Sequence, residues 1–149
     1  MTPLEMVKAQ LGAAVPFANY VGVQIETVEV GAASASLEQR QETSNHIGTQ
    51  HAGAMFTLGE AASGAAMAGA FAEQLLGLRP VAAIASIAYK KIAKGTLRAH
   101  AKTGDKAEVL REALEKDGKV QFSVHVSIID EKDTEVGTMD VDWHVSKAR

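Results

Sequence analysis

One carboxylate stands alone in the longest uncharged stretch of this 149-residue chain: Glu60, within residues 52–72. A carboxylate on an enclosed segment is penalised for losing water, and the resulting rise in pKa moves it toward the range suited to a general base. Upstream lie Asn45, His46 and His51, in a loop rich in turn formers (Thr43, Ser44, Asn45, Gly48). The segment that follows reads as a helix, and its first turn leaves backbone N–H groups near Ala52 to Met55 without intrahelical partners. Such a terminus holds developing negative charge, a stabilisation often worth about 3–4 kcal/mol per donor. A poised base and an anion-stabilising terminus together suit attack on a carbonyl that passes through an oxyanion. Taken singly, Asn45 and His51 are ordinary turn residues. Their joint spacing with Glu60, fifteen and nine residues upstream of it, is what groups them.

Several elements must position these groups. The N-terminus reads as a short amphipathic helix at about residues 3–15, because Glu5 and Lys8 interrupt what a signal peptide would need as an apolar core. Residues 21–30 and 33–40 pattern as a hairpin punctuated by Gly31, with Ala33, Ala35 and Leu37 alternating against Ser34, Ser36 and Glu38. The long uncharged helix is expected to end near Gly77 to Pro80. It lacks a polar face, so it should be enclosed by a sheet, with Gly59, Gly64 and Gly69 permitting close approach of strands. Strands are expected from Val81 to about Lys90 and from Thr96 to Lys102, then a short helix over Lys106 to Lys116. Two more strands carry Phe122, Val124, Val126 and Ile128, and Val136, Met139, Val141, Trp143 and Val145, joined by a turn at Asp130 to Thr134. One buried helix with an antiparallel sheet is an α+β architecture in a single domain, 1–149.

Composition narrows the function classes. A hydrophobic fraction of 46% with 22% charged residues is ordinary for a globular chain, and a net charge of −3 gives no reason to expect nucleic acid as a partner. With no cysteine there is no disulfide, thiolate nucleophile or cysteine-type zinc site, and a cytoplasmic location is the default expectation. His100, His125 and His144 fall on polar strand faces, so no metal is expected. Nor is a membrane span: residues 52–72 owe their apolarity to alanine and glycine, and Glu60 at the centre would cost about 2.5–3.5 kcal/mol in lipid.

The run from Asn45 to Glu60 fits the pattern N-x-x-G-x-x-H-x-G-x-x-x-x-L-x-[DE] without a gap. That pattern resembles the active-site signature of hotdog-fold acyl-CoA thioesterases, of the phenylacetic-acid-pathway type and DUF4442-like. The resemblance covers roughly residues 20–146 in element order and is dense from Asn45 to Ala66. It implies a hotdog fold, a curved antiparallel sheet wrapped round one long central helix. It also implies hydrolysis of an acyl thioester, with Glu60 as general base or nucleophile, Asn45 positioning the water or carbonyl, and His51 orienting the thioester. The amides of Ala52 and Gly53 would form the oxyanion hole. No cofactor is implied beyond the coenzyme A of the substrate. A homodimer with paired edge strands, or a dimer of dimers, is implied as well, with Asn45 and Glu60 of one site drawn from opposite subunits. The chain departs from the pattern at Ala52, where relatives usually carry a second glycine, and at Ala82 and Ala83, where some carry a hydroxyl.

Two other readings stand beside this one. His46 and Glu60 have the spacing of a hotdog 3-hydroxyacyl thioester dehydratase or hydratase, although the proline-rich loop of those enzymes is missing here. A non-catalytic acyl-CoA-binding module is the other, favoured by Ala52 and the absent hydroxyl. Lys90, Lys91, Lys94 and Arg98 form a basic run suited to the phosphates of coenzyme A or, equally, to a solvated turn. Met55, Phe56, Val81 and Ile84 are candidates to line the acyl chain, and Trp143 reads as core.

Overall fold

Alternation of small or apolar residues with polar ones gives most strands one face for the core and one for water. In the computed structural model, which describes residues 1–148, those strands close into a single six-stranded sheet. Arg149 lies outside the described residues. The chain opens with α1 (Pro3–Ala14) and α2 (Pro16–Val21), each with proline in the first turn, where a missing N–H costs no helical bond. Thr2 and Glu5 close a capping box on α1. There follow β1 (Gln24–Glu29), β2 (Ala32–Leu37), the central helix α3 (Ala52–Ala70), β3 (Leu78–Tyr89), β4 (Leu97–Thr103), α4 (Ala107–Asp117), β5 (Lys119–Ile129) and β6 (Glu135–Lys147).

Every neighbouring pair is antiparallel, in the order β1-β2-β4-β5-β6-β3. Register places apolar residues in rows across the inner face, such as Ala35, Ala99 and Ile128, or Phe122 beside Trp143. Small residues dominate the middle strands, and α3 packs chiefly against β2 and β4, where Ala33, Ala35, Ala99 and Ala101 let it come close. The glycines of α3 serve the same end. A Cβ at Gly69 would stand 2.1 Å from the carbonyl oxygen of Glu29 on β1, and one at Gly64 would stand 3.2 Å from the Trp143 ring. This is the hotdog fold, with the curved sheet wrapped round α3.

Three expectations change. The central helix stops at Ala70 rather than near Gly77 to Pro80: Phe71 leaves helical geometry and packs its ring on Phe122, 5.9 Å between centroids. Arg111 of α4 donates to the carbonyl of Ala70, a cation at the negative end of α3 that helps define the stop. Pro80 therefore falls inside β3, which is tolerated because β3 is an edge strand. The helix is also not enclosed all round. Ala52 and Gly53 are exposed and Phe56, Glu60, Ala61 and Gly64 half-buried, which leaves one stripe uncovered. The short helix foreseen at Lys106 to Lys116 is α4, with Leu110 and Leu114 turned inward.

Candidate active site

The loop from Asn45 to Gln50 is built by one side chain. Asn45 Oδ1 accepts from the amides of Ile47 (3.1 Å) and Thr49 (2.9 Å), and its Nδ2 donates to Thr49 Oγ1 (2.8 Å) and to the carbonyl of Gln50 (3.3 Å). All four hydrogen-bonding positions are engaged within the loop, so Asn45 acts here on loop shape. To orient a water or the carbonyl, as the family resemblance implies, it would have to release one of these bonds. Gln50 ties the loop to the sheet. Its amide donates to Ala93 O, and its buried carboxamide donates to Leu37 O and Gly95 O. Two carbonyl partners fix the orientation of that carboxamide, because a flipped group would set oxygen against oxygen.

His51 is the N-cap of α3. Its Nδ1 accepts from the amide of Gly53 at 2.8 Å, so the neutral ring carries its proton on Nε2, which is free to donate outward. This alters the anion site inferred from sequence: the Gly53 amide is occupied by the imidazole, and the Ala52 amide remains. Among the described residues, the amides of Ala52 and Ala54 have no backbone acceptor. Tyr89, at the end of β3, donates its hydroxyl to the Ala52 carbonyl at 2.9 Å and so fixes the first turn from the other side.

Glu60 lies two turns further along, about 12 Å by helical rise. It shares a face with Gly53, Thr57 and Gly64, which follow at helical spacing. Its carboxylate has no hydrogen-bond or ion-pair partner among the described residues, and burial pushes its pKa above the ordinary carboxylate value of 4.5. The turn that carries it is anchored nonetheless. Ser63 Oγ donates to the Glu60 carbonyl (2.7 Å) and accepts from Trp143 Nε1 (3.0 Å), which joins this turn to β6. An unpaired, partly desolvated carboxylate on a well-fixed backbone is a candidate for chemistry rather than for structure.

Residues 4–145 match the family model described as a domain of unknown function, DUF4442. The chain belongs to the DUF4442 family. Solved structures share its fold along nearly its whole length. A Pseudomonas aeruginosa protein of unknown function, described as a probable thioesterase, aligns with TM-score 0.82 at 24% identity, over 98% of this chain and 97% of that one. A thioesterase family protein from Silicibacter pomeroyi gives 0.78 at 14%, over 97% and 99%. The Escherichia coli PaaI protein from the phenylacetic acid degradation operon gives 0.69 at 19%, over 94% and 93%. At such identities the likeness establishes the fold. No curated protein sequence matches.

The remaining candidates divide in this DUF4442 chain. Lys90 pairs with Glu135 at 2.7 Å and Arg98 with Asp133 at 3.7 Å, whereas Lys91 and Lys94 are exposed and without an ion pair among the described residues. Met55 is buried against Gly137 of β6, which makes it core rather than substrate lining, while Phe56 lies on the open stripe. Val81 and Ile84 are exposed on β3. No group of three or more potential metal ligands occurs among the described residues, and no helix is long and apolar enough to cross a membrane. Sequence reasoning missed Gln50, Tyr89 and Thr57. Gln50 and Tyr89 act through partners distant in the chain, and Thr57 bonds back to its own helix by donating to the Gly53 carbonyl four residues earlier.

Proposed function

We propose that this DUF4442 protein hydrolyses acyl thioesters of coenzyme A, with Glu60 as the general base and the Ala52 amide as the principal oxyanion donor. The observation that carries the reading is the unpartnered Glu60 carboxylate, its pKa raised by burial, on the same open stripe as the Ala52 amide, which has no backbone acceptor among the described residues. Glu60 takes a proton from water as its oxygen bonds to the thioester carbon. The Ala52 amide and His51 Nε2–H stabilise the oxyanion. Collapse of the intermediate breaks the C–S bond, and the departing thiolate takes the proton that Glu60 holds, which gives free acid and free thiol and restores the carboxylate.

The reading includes a second copy of the chain. β3 presents Val81, Ile84 and Tyr89 to solvent, and Ile84 is 61% exposed. Its outer edge is unpaired among the described residues, whereas β1, the other edge, is covered by α1. A long apolar edge invites a partner strand. In a two-fold pair of antiparallel α3 helices, facing residue numbers sum to a constant. With the axis at Phe56, Glu60 of one copy faces Ala52 of the other, which removes the 12 Å gap (about eight residues of rise) within one helix. Lys91 and Lys94 supply the free cations for coenzyme A phosphates.

The geometry adds nothing to the dehydratase pairing, since His46 is exposed at the loop tip. The test is free-thiol release from a panel of acyl-CoAs, with enoyl absorbance followed in parallel and E60Q as control. Thiol release abolished by E60Q is the expected result. Release indifferent to E60Q overturns the mechanism, enoyl change without thiol supports the dehydratase, and binding with neither signal supports a non-catalytic module.

A further inference from the structure

A cavity of about 320 Å³ opens beside the N-terminal turn of α3, lined by Phe17, Tyr20 and Val21 of α2, by Arg40, Glu42, Thr43 and Ser44, and by His51, Gly53, Ala54 and Thr57. We propose that this cavity receives the acyl group of the substrate, and that it selects an uncharged, apolar acyl group of aryl or medium-chain size. The proposal rests on the thioesterase reading above.

Position is the first argument. His51 and Gly53 belong both to the cavity wall and to the first turn of α3, so a carbonyl held at that turn has its acyl substituent at the cavity mouth. The chemistry of the wall is the second. Several of its polar side chains are engaged with backbone. Arg40 donates to the carbonyls of Tyr20 and Val21, capping α2. Thr43 accepts from the Arg40 amide and Ser44 donates to the Arg40 carbonyl. Thr57 donates to the Gly53 carbonyl. The exposed carboxylate of Glu42 on the wall disfavours a dicarboxylic acyl group, and the apolar faces of Phe17, Val21 and Ala54 favour an apolar one.

Aromatic exposure is the third argument. Phe17 is 66% and Tyr20 82% exposed, an arrangement that leaves two rings on α2 able to cover an apolar guest. Arg40 ties α2 to the loop that leads to His51, which joins the aromatic wall to the reacting turn. In size the cavity lies at the small end of ligand sites, and an apolar void of about 150 Å³ already accepts benzene. A phenyl ring with a short spacer, or a chain of medium length, therefore fits, and a long fatty acyl chain does not.

The experiment measures kcat/KM for acetyl-, octanoyl-, phenylacetyl-, succinyl- and palmitoyl-CoA in the wild type, F17A and V21W, with folding checked by circular dichroism. The wild type is expected to prefer octanoyl- or phenylacetyl-CoA over succinyl- and palmitoyl-CoA by tenfold or more, and the winner distinguishes chain from ring. V21W, which fills the cavity, should lower the ratio of the preferred substrate to acetyl-CoA at least tenfold. F17A should lower it several-fold. Hydrolysis with unchanged ratios in both variants overturns the acyl-pocket assignment and leaves the thioesterase reading standing. No hydrolysis of any thioester by the wild type overturns the thioesterase reading itself. In that case, protection of Phe17 and Tyr20 from fluorescence or NMR perturbation by octanoyl-CoA counts against the pocket, and perturbation confined to them supports it.

Discussion

The side chains of Asn45 and Glu60 handle their polar atoms in opposite ways. In the loop every hydrogen-bonding position of the Asn45 side chain has a partner, and Gln50 nails the segment to β2 and to the β3–β4 connection. On the helix the Glu60 carboxylate has none, although its own turn is braced through Ser63 and Trp143. Satisfied polar groups hold a shape, and an unsatisfied one on a rigid support is available for chemistry. The difference assigns Asn45 and Glu60 separate tasks even though one sequence motif contains both.

The sharpest way to break the comparison is to remove the unsatisfied group. E60Q should reduce kcat by about 10²–10⁴-fold, the usual contribution of a general base. It should also raise the melting temperature at neutral pH, where each kcal/mol is worth about 2–4 °C in a chain of this length. The sign follows from burial. The folded-state pKa lies above 4.5, so Glu60's stability contribution is full below that value and is lost as pH rises through the folded pKa. Activity runs the other way, with kcat/KM rising through the same interval as the carboxylate ionises. A melting temperature that falls in E60Q would mean the carboxylate has a structural partner after all.

Removing the satisfied group should do something different. N45A leaves two loop amides and two acceptors unpaired, and about 1–3 kcal/mol of stability should disappear in denaturant titrations. Any loss of activity should follow that stability, with an unshifted pH profile. Y89F, which loses one bond to the first turn of α3, should cost about 0.5–1.5 kcal/mol. The smallest effect is expected from K91A with K94A. KM for acyl-CoA should rise a few-fold at low salt, with no change for an acyl-pantetheine that lacks the distal phosphates.

Much of this contrast is readable in the sequence. Glu60 stands out because a lone charge in an alanine-rich helix breaks the pattern that composition sets, and alternation in β4, β5 and β6 is strong enough to place their inner faces. The helix end is not readable, because no proline or glycine interrupts residues 71–76 and packing against Phe122 and Arg111 is what stops it. The occupied Gly53 amide is equally hidden. A histidine and a glycine two residues apart do not reveal that the imidazole has turned back to cap its own helix. Met55 and Phe56 are adjacent and alike in hydrophobicity, yet a 100° step about the helix sends one into the core and the other onto the open stripe.

The central claim, that Glu60 of one copy works against the Ala52 amide of another, is tested most directly by mixing two inactive variants. A52P deletes the amide at the first helical position, where proline is tolerated and where His51 already has the extended geometry that a following proline requires. E60Q deletes the base. Each alone should be inactive, and refolding them together at equal concentration should restore about a quarter of wild-type thiol release, since half the dimers are mixed and each mixed dimer holds one intact site of two. No recovery, in a mixture shown by mass spectrometry to contain the mixed dimer, would contradict the account.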